Sequence, residues 1–137
     1  MPRHINVEKL RQALEGVAGL RFAVLFGSAR HGELPRADSD VDVALALDCE
    51  PEFDEQARLI GLVQDTVGSD RVDVVLIKPG GDWALHREVL KGRILVCRDP
   101  EAYASFFSLV DRVGRDEEAR IARAWALKRE LASQGPA

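Results

Sequence analysis

The chain has 137 residues and a mass of 15.1 kDa, a size typical of one domain. Hydrophobic residues make up 46% and charged residues 31%, which excludes a disordered tail, a collagen-like repeat and a disulfide-stapled miniprotein. The net charge of −4 argues against nucleic-acid binding by bulk electrostatics, and no segment approaches the ~20 apolar residues of a membrane span. Cys49 and Cys97 match no metal or redox spacing, so we expect reduced thiols in a soluble cytoplasmic protein.

The first quarter of the sequence predicts a helix, a strand and a loop. Asn6 is placed to cap the helix. Its apolar residues recur at helical spacing: Val7, Leu10, Leu14 and Val17. Residues 21–26 form a short apolar run rich in strand-forming residues, and residues 29–39 predict a loop.

The middle of the sequence predicts two strands separated by a helix. Residues 40–47 alternate strictly between polar and apolar positions, as a strand does, and residues 71–77 predict the next strand. Between them a helix is expected to open at Pro51 and to close at Gly68. We expect its apolar face to consist of Phe53, Ala57, Ile60, Val63 and Val67.

The remaining elements complete an α/β (α+β) pattern, in which helices pack on a small sheet. Asp82 is placed to cap a helix over 83–91, and residues 94–97 predict a fourth strand. Asp99 followed by Pro100 is typical of a helix start. Its apolar stripe is Tyr103, Phe106, Phe107 and Val110. We expect His4 and His86 to be ordinary surface or helix residues, and Trp83 to serve packing or an interface.

We treat residues 1–137 as one domain, with a core at about 5–100 and a C-terminal helical segment at 101–137. From residue 111 onward the pattern stays helical but mixed in charge, with sparse apolar positions. Two interpretations remain open: the helix caps this domain's own core, or it docks onto a partner with Trp125 and Arg123 or Arg129 as the anchor.

Two aspartates stand on one face of a predicted strand. Asp40 and Asp42 alternate with Val41 and Val43, so both carboxylates point the same way, about 7 Å apart along the backbone. A bound divalent cation would relieve their repulsion, and hard oxygen ligands suit Mg²⁺ or Mn²⁺. The alternative is a solvated face of an edge strand.

A third aspartate interrupts the apolar run of the next strand. Asp73 is costly there unless it is paired, hydrogen-bonded or near a metal. If the two strands are neighbours, Asp73 completes a triad that could hold two metal ions for phosphoryl transfer. The alternative is a hydrogen-bonded core aspartate.

Gly27 and Ser28 directly follow the first strand. Glycine lets the backbone approach a ligand closely, and the serine and the following amides can donate hydrogen bonds to phosphate oxygens. Arg30, His31 and Arg36 flank this point and could contact phosphate or base, although surface arginines are usually only solvated.

The order Gly27-Ser28, Asp40-x-Asp42 and a later strand aspartate, Asp73, resembles the signature of the DNA polymerase beta-like nucleotidyltransferase superfamily. The compact form of the motif, and a helix followed by Gly-x-Ile-Leu-Val at residues 85–96, resemble its minimal branch, the MNT-domain proteins. The resemblance covers roughly residues 5–100. It implies a nucleotidyltransferase fold with a mixed sheet of about four strands flanked by helices.

The resemblance also implies a chemistry. Asp40, Asp42 and Asp73 would be the catalytic and metal-binding residues for two Mg²⁺ ions, with Asp73 activating the acceptor. Gly27, Ser28 and Arg30 would bind the donor, ATP. Many MNT proteins are antitoxins that adenylylate a tyrosine of a HEPN-domain ribonuclease toxin, which makes such a toxin the expected partner. No direct nucleic-acid contact is expected, and the protein could form homo- or hetero-oligomers.

Two other functions are weighed against this one. A small-molecule nucleotidyltransferase of the aminoglycoside-modifying kind usually carries an added helical domain, for which this chain is short. A non-catalytic antitoxin acting by occlusion should lose its carboxylates first, and this sequence keeps all three. A template-free polymerase is disfavoured by the acidic charge.

Overall fold

The computed structural model describes residues 3–36, 38–78 and 80–134. Its strands are β1 (Arg3–His4), β2 (Leu20–Phe26), β3 (Glu33–Leu34), β4 (Val41–Leu47), β5 (Val72–Leu76) and β6 (Arg93–Cys97). Its helices are α1 (Val7–Glu15), α2 (Phe53–Val67), α3 (Trp83–Leu90) and α4 (Pro100–Ser133). A single 3-10 turn, Gly27–Ala29, follows β2. In these described ranges, no helix is both long enough and apolar enough to span a lipid bilayer.

The main sheet has four strands in the order β5-β4-β2-β6. β2 is antiparallel to both of its neighbours, whereas β4 and β5 run parallel, so the predicted small mixed sheet is confirmed. A second pairing, β1 with β3, was not predicted, and β3 lies inside the segment expected to be a loop. Two-residue strands are too short to give a period-2 pattern in the sequence.

The predicted helix caps are confirmed by hydrogen bonds. Asn6 Oδ1 accepts from the Lys9 amide at 3.0 Å, and Asp82 Oδ1 accepts from the Ala84 amide at 3.0 Å. Asp99 Oδ1 likewise accepts from the amide two residues past Pro100, at 3.0 Å. These caps satisfy amides that have no partner within the helix, and they fix where each helix begins.

The sheet buries apolar side chains on both faces. On one face Val41, Val43 and Leu45 pack with residues of α1 and α2. On the other face Phe22 and Ala44 pack with residues of α3 and α4. Since side chains alternate along a strand, Asp42 lies on the same face of the sheet as Ala44, near the beginning of β4.

Two burial predictions were wrong. Helix α2 begins at Phe53 instead of Pro51, and Phe53 is 83% exposed because the helix turns Leu59 and Val63 toward the core, with Ala57 and Ile60 in solvent. Phe107 is 48% exposed because Phe106 and Val110 occupy the face against the sheet. His86 lies on helix α3, as expected, and is buried there, with its ring 5.3 Å from that of Phe106. Periodicity alone does not choose between adjacent apolar stripes of one helix.

Helix α4 is continuous over 34 residues, but its last buried residue is Gly114. Beyond that point Ile121, Trp125, Leu127 and Leu131 are each at least 43% exposed. The only hydrogen bond or ion pair from this distal half to a described element other than α4 itself joins Glu118 to Arg87 of α3, at 2.5 Å. The distal half of α4 therefore does not cap the domain's own core.

Replacing Gly92 with alanine should destabilise the domain. A Cβ at this position would lie 2.5 Å from the Leu25 carbonyl oxygen and 2.7 Å from Val24 Cγ1, both in β2. Overpacking of this kind costs roughly 1–3 kcal/mol. The control is Gly61→Ala in α2, where a Cβ meets nothing within 4 Å and should stabilise the helix by about 0.5–1 kcal/mol. Chemical denaturation measures both, and equal effects would contradict the packing described.

Deleting the chain from residue 115 onward should leave a folded domain. The removed helical residues are exposed or, for Glu117, half-buried, so the core loses little apolar contact. Thermal unfolding followed by circular dichroism should remain a single cooperative transition. Precipitation or a broad, non-cooperative melt would mean that the distal half of α4 belongs to the fold.

Candidate active site

Strand register brings two of the three predicted aspartates together. β4 and β5 are parallel neighbours in which Asp42 is the direct partner of Asp73. On its other side β4 pairs with β2, where the partner of Asp42 is Phe26, the residue immediately before Gly27. Asp40 lies one residue before β4 begins and is exposed. The fold thus gathers the aspartates and the glycine turn at one end of the sheet.

The Asp42 carboxyl group has a raised pKa. Its side chain is half-buried, and burial raises its pKa above the usual 3.8. The negative charges of Asp73 and then Asp40 raise the same pKa further. In the ranges 3–36, 38–78 and 80–134, no Lys, Arg or His nitrogen lies within 4.0 Å of the Asp42 or Asp73 carboxylate. The site therefore has an excess of negative charge that protein cations do not neutralise.

Arg71 is a site neighbour that the sequence reasoning missed. Its Nη1 lies 4.0 Å from Asp40 Oδ1 and donates a hydrogen bond to the Asp38 carbonyl at 3.3 Å. Both side chains of the ion pair are more than half exposed, so its electrostatic contribution is screened by water. Arg71 lies directly before β5 and two residues before Asp73, and this position in the sequence could have indicated that it is close to the aspartates.

The turn after β2 requires glycine for two reasons. Gly27 has φ = +76°, which is unfavourable for residues with a side chain, and a Cβ there would collide with the Asp42 carboxylate. The backbone of the turn is therefore seated directly against Asp42. Ser28 is exposed, and Arg30 Nη1 donates to the Gly27 carbonyl at 3.3 Å while the side chain remains in solvent.

The carboxylate oxygens of this site could supply part of the ligand set of a hard divalent cation. Within the described part of the chain, no three His, Cys, Asp or Glu side chains are grouped closely enough to hold a metal ion by themselves. Mg²⁺ does not require such a cage, because it usually takes one or two carboxylates and completes its shell with phosphate oxygens and water. Adjacent aspartates whose mutual repulsion raises a pKa supply that partial set.

A groove among the described residues lies nearer the other ends of β4 and β5. It encloses about 1000 Å³ and is lined by the last residues of β4 and β5 together with Trp83, His86 and Phe106. Its lining residues nearest to the aspartates are Leu45 and Leu76, which lie three residues after Asp42 and Asp73, roughly 10 Å along each strand. None of the three aspartates lines this groove, and Asp40 and Asp73 are exposed.

More than half of the chain matches a known protein family. The family described as "Polymerase beta, Nucleotidyltransferase" matches residues 8–101, a segment that contains Gly27, Ser28 and all three aspartates. No curated protein matches the chain.

Solved structures share its fold at low sequence identity. A crystal structure of a mutant toxin–antitoxin MntA-HpeT is 20% identical with a TM-score of 0.66, covering 88% of this chain and 99% of that one. A toxin–antitoxin with AMP-PNP is 20% identical with a TM-score of 0.65 and the same coverage. A tri-AMPylated Shewanella oneidensis HEPN toxin in complex with MNT antitoxin gives 18% identity and a TM-score of 0.59, covering 88% and 96%.

The family match covers more than half of the chain, and it spans the strands and the turn that gather the aspartates. The chain therefore belongs to the polymerase beta nucleotidyltransferase family.

Proposed function

We propose that this protein is a Mg²⁺-dependent adenylyltransferase that moves AMP from ATP to a hydroxyl group of a HEPN toxin, and so acts as its antitoxin. The observation that carries the proposal is the pairing of Asp42 with Asp73 beside the Gly27 turn. Similarity to a toxin–antitoxin with AMP-PNP and to an AMPylated HEPN toxin with its MNT antitoxin supports the choice of donor and partner.

Asp40 and Asp42 would hold the metal, with Asp73 contributing to a second ion. Bound Mg²⁺ would neutralise triphosphate charge and favour departure of pyrophosphate. Without a cation these carboxylates repel the triphosphate as they repel one another, which is the effect that already raises the pKa of Asp42.

The remaining groups would position the donor and the acceptor. The glycine at 27 allows the turn to approach a phosphate without steric hindrance, and Ser28 offers an exposed hydroxyl donor. Arg30 is free in solvent apart from one hydrogen bond, so it can turn toward a phosphate. Asp73 is more exposed than Asp42, and it would accept the proton of the attacking hydroxyl.

An open site favours a macromolecular acceptor over a small one. A small molecule needs a pocket that surrounds it, and none of the three aspartates lines the groove described above. A protein acceptor would itself supply the missing wall. The aminoglycoside-like alternative lacks this support, and occlusion without catalysis gives no reason to keep three mutually repelling carboxylates.

ATP binding should depend on the divalent cation. Isothermal titration calorimetry should give clear binding with Mg²⁺ and at least about tenfold weaker binding with a chelator, because uncompensated carboxylates repel the triphosphate. Equal affinity with and without metal would contradict the metal-binding role of the aspartates.

Asp42→Asn and Asp73→Asn should separate catalysis from folding. Each should lower transfer of labelled AMP to the HEPN partner by roughly 100-fold or more. Because folding raises the pKa of Asp42, ionisation of this carboxyl destabilises the folded state, and the loss of stability develops as the pH rises above 3.8. Asp42→Asn has no charge to lose at neutral pH, so it should melt no lower than wild type there. The control Asp70→Asn changes an exposed carboxyl outside the site and should leave both properties unchanged.

Two results would overturn parts of this proposal. A large loss of stability in Asp42→Asn would assign that residue a structural role. If Asp73→Asn abolishes labelling but still neutralises a co-expressed toxin, inhibition proceeds by occlusion, and adenylyl transfer is not its cause.

A further inference from the structure

The distal half of α4 carries a seam of three apolar and two charged residues, which are exposed or, for Glu117, half-buried. Glu117, Ile121, Ala124, Lys128 and Leu131 follow one another at alternating intervals of four and three residues. This spacing puts them on one side of a helix, as in the seam of a coiled coil. Ile121 is 43% and Leu131 60% exposed, although the seam continues the side of α4 that is buried at Phe106 and Val110.

The charges beside this seam are divided along the helix. Asp116, Glu117 and Glu118 form an acidic block at its beginning. In the following stretch Arg120, Arg123, Lys128 and Arg129 outnumber Glu130, so this stretch is basic. Glu117 and Arg120 form an ion pair where the two stretches meet. A parallel copy would set like charges against each other, whereas an antiparallel copy would set the acidic block against the basic stretch.

We propose that the distal half of α4 is a self-association surface that pairs antiparallel with the same segment of a second copy. A two-fold axis midway between residues 122 and 123 puts Glu117 opposite Lys128 of the second copy, and Ile121 opposite Ala124 of the second copy. An acidic residue thereby lies opposite a basic one, and a large apolar residue lies opposite a small one. The two-fold axis generates each of these contacts twice. The interface is self-complementary, as a two-fold interface must be.

Trp125 adds an anchor at the edge of the seam. It lies four residues after Ile121 and is 56% exposed, with the Lys128 ammonium 5.0 Å from its ring centroid. Tryptophan is one of the residues that interface centres favour. A different partner protein would need its own complementary seam, whereas a second copy necessarily has one.

Charge reversal on the full-length chain tests the register. Sedimentation velocity over a range of concentrations should show wild type in a monomer–dimer equilibrium. Glu117→Lys alone and Lys128→Glu alone should each weaken dimerisation by roughly tenfold or more, because each puts like charges opposite each other twice. An equimolar mixture of these two variants should dimerise again, since each supplies the charge that the other lacks.

The matched control is Arg123→Glu, which alters the net charge as Lys128→Glu does. Arg123 is neither three nor four residues from any of the five seam positions, so it lies away from the seam. This variant should dimerise as wild type does, and circular dichroism should show every variant folded. A wild-type chain that stays monomeric at all concentrations would overturn the proposal. So would a mixture of the two variants that stays monomeric, or variants that all dimerise as wild type does. None of these outcomes depends on nucleotide transfer.

Discussion

The central feature of the structure is the repulsion among aspartate carboxylates at one end of its sheet. Parallel pairing puts Asp42 beside Asp73, and Asp40 is two residues away on the same side. These charges and partial burial raise the pKa of Asp42, and no described protein cation is within 4.0 Å of it. A fold selected only for stability would place a neutral residue there, since like charges in a partly desolvated place oppose folding. The conflict is resolved if the site binds a cation and a polyanion together.

The scaffold confines that conflict to a rigid place. Asp42 belongs to β4, a central strand whose neighbours Val41 and Val43 are completely buried. Gly27 brings the adjoining turn against the Asp42 carboxylate, where any larger residue would collide. The rest of the sheet is covered by helices on both faces, so the repulsion cannot be relieved by moving the strand. The Asp42 carboxylate and the Gly27 turn are thereby held against each other.

Local chemistry allowed much of this fold to be predicted. Helix caps such as Asn6 and Asp99 were found because each needs only a few residues of sequence, and the aspartate strand was found from its strict alternation. The exposure of Phe53 was missed, because α2 has two adjacent apolar stripes and only tertiary packing selects one. The β1–β3 pairing leaves no periodic signal. The sequence analysis had to assume that the strands of Asp42 and Asp73 are neighbours, because sequence does not reveal which strands pair. The structure shows that they are.

A crystal structure with Mn²⁺ and a non-hydrolysable ATP analogue would test the central claim most directly, because anomalous scattering locates the metal independently of the protein. The account predicts manganese bound to carboxylate oxygens of Asp40 and Asp42 and to phosphate oxygens, with the triphosphate against the turn at Gly27 and Ser28. Nucleotide bound in the groove beside Trp83, or bound at the turn with no metal at the aspartates, would contradict it.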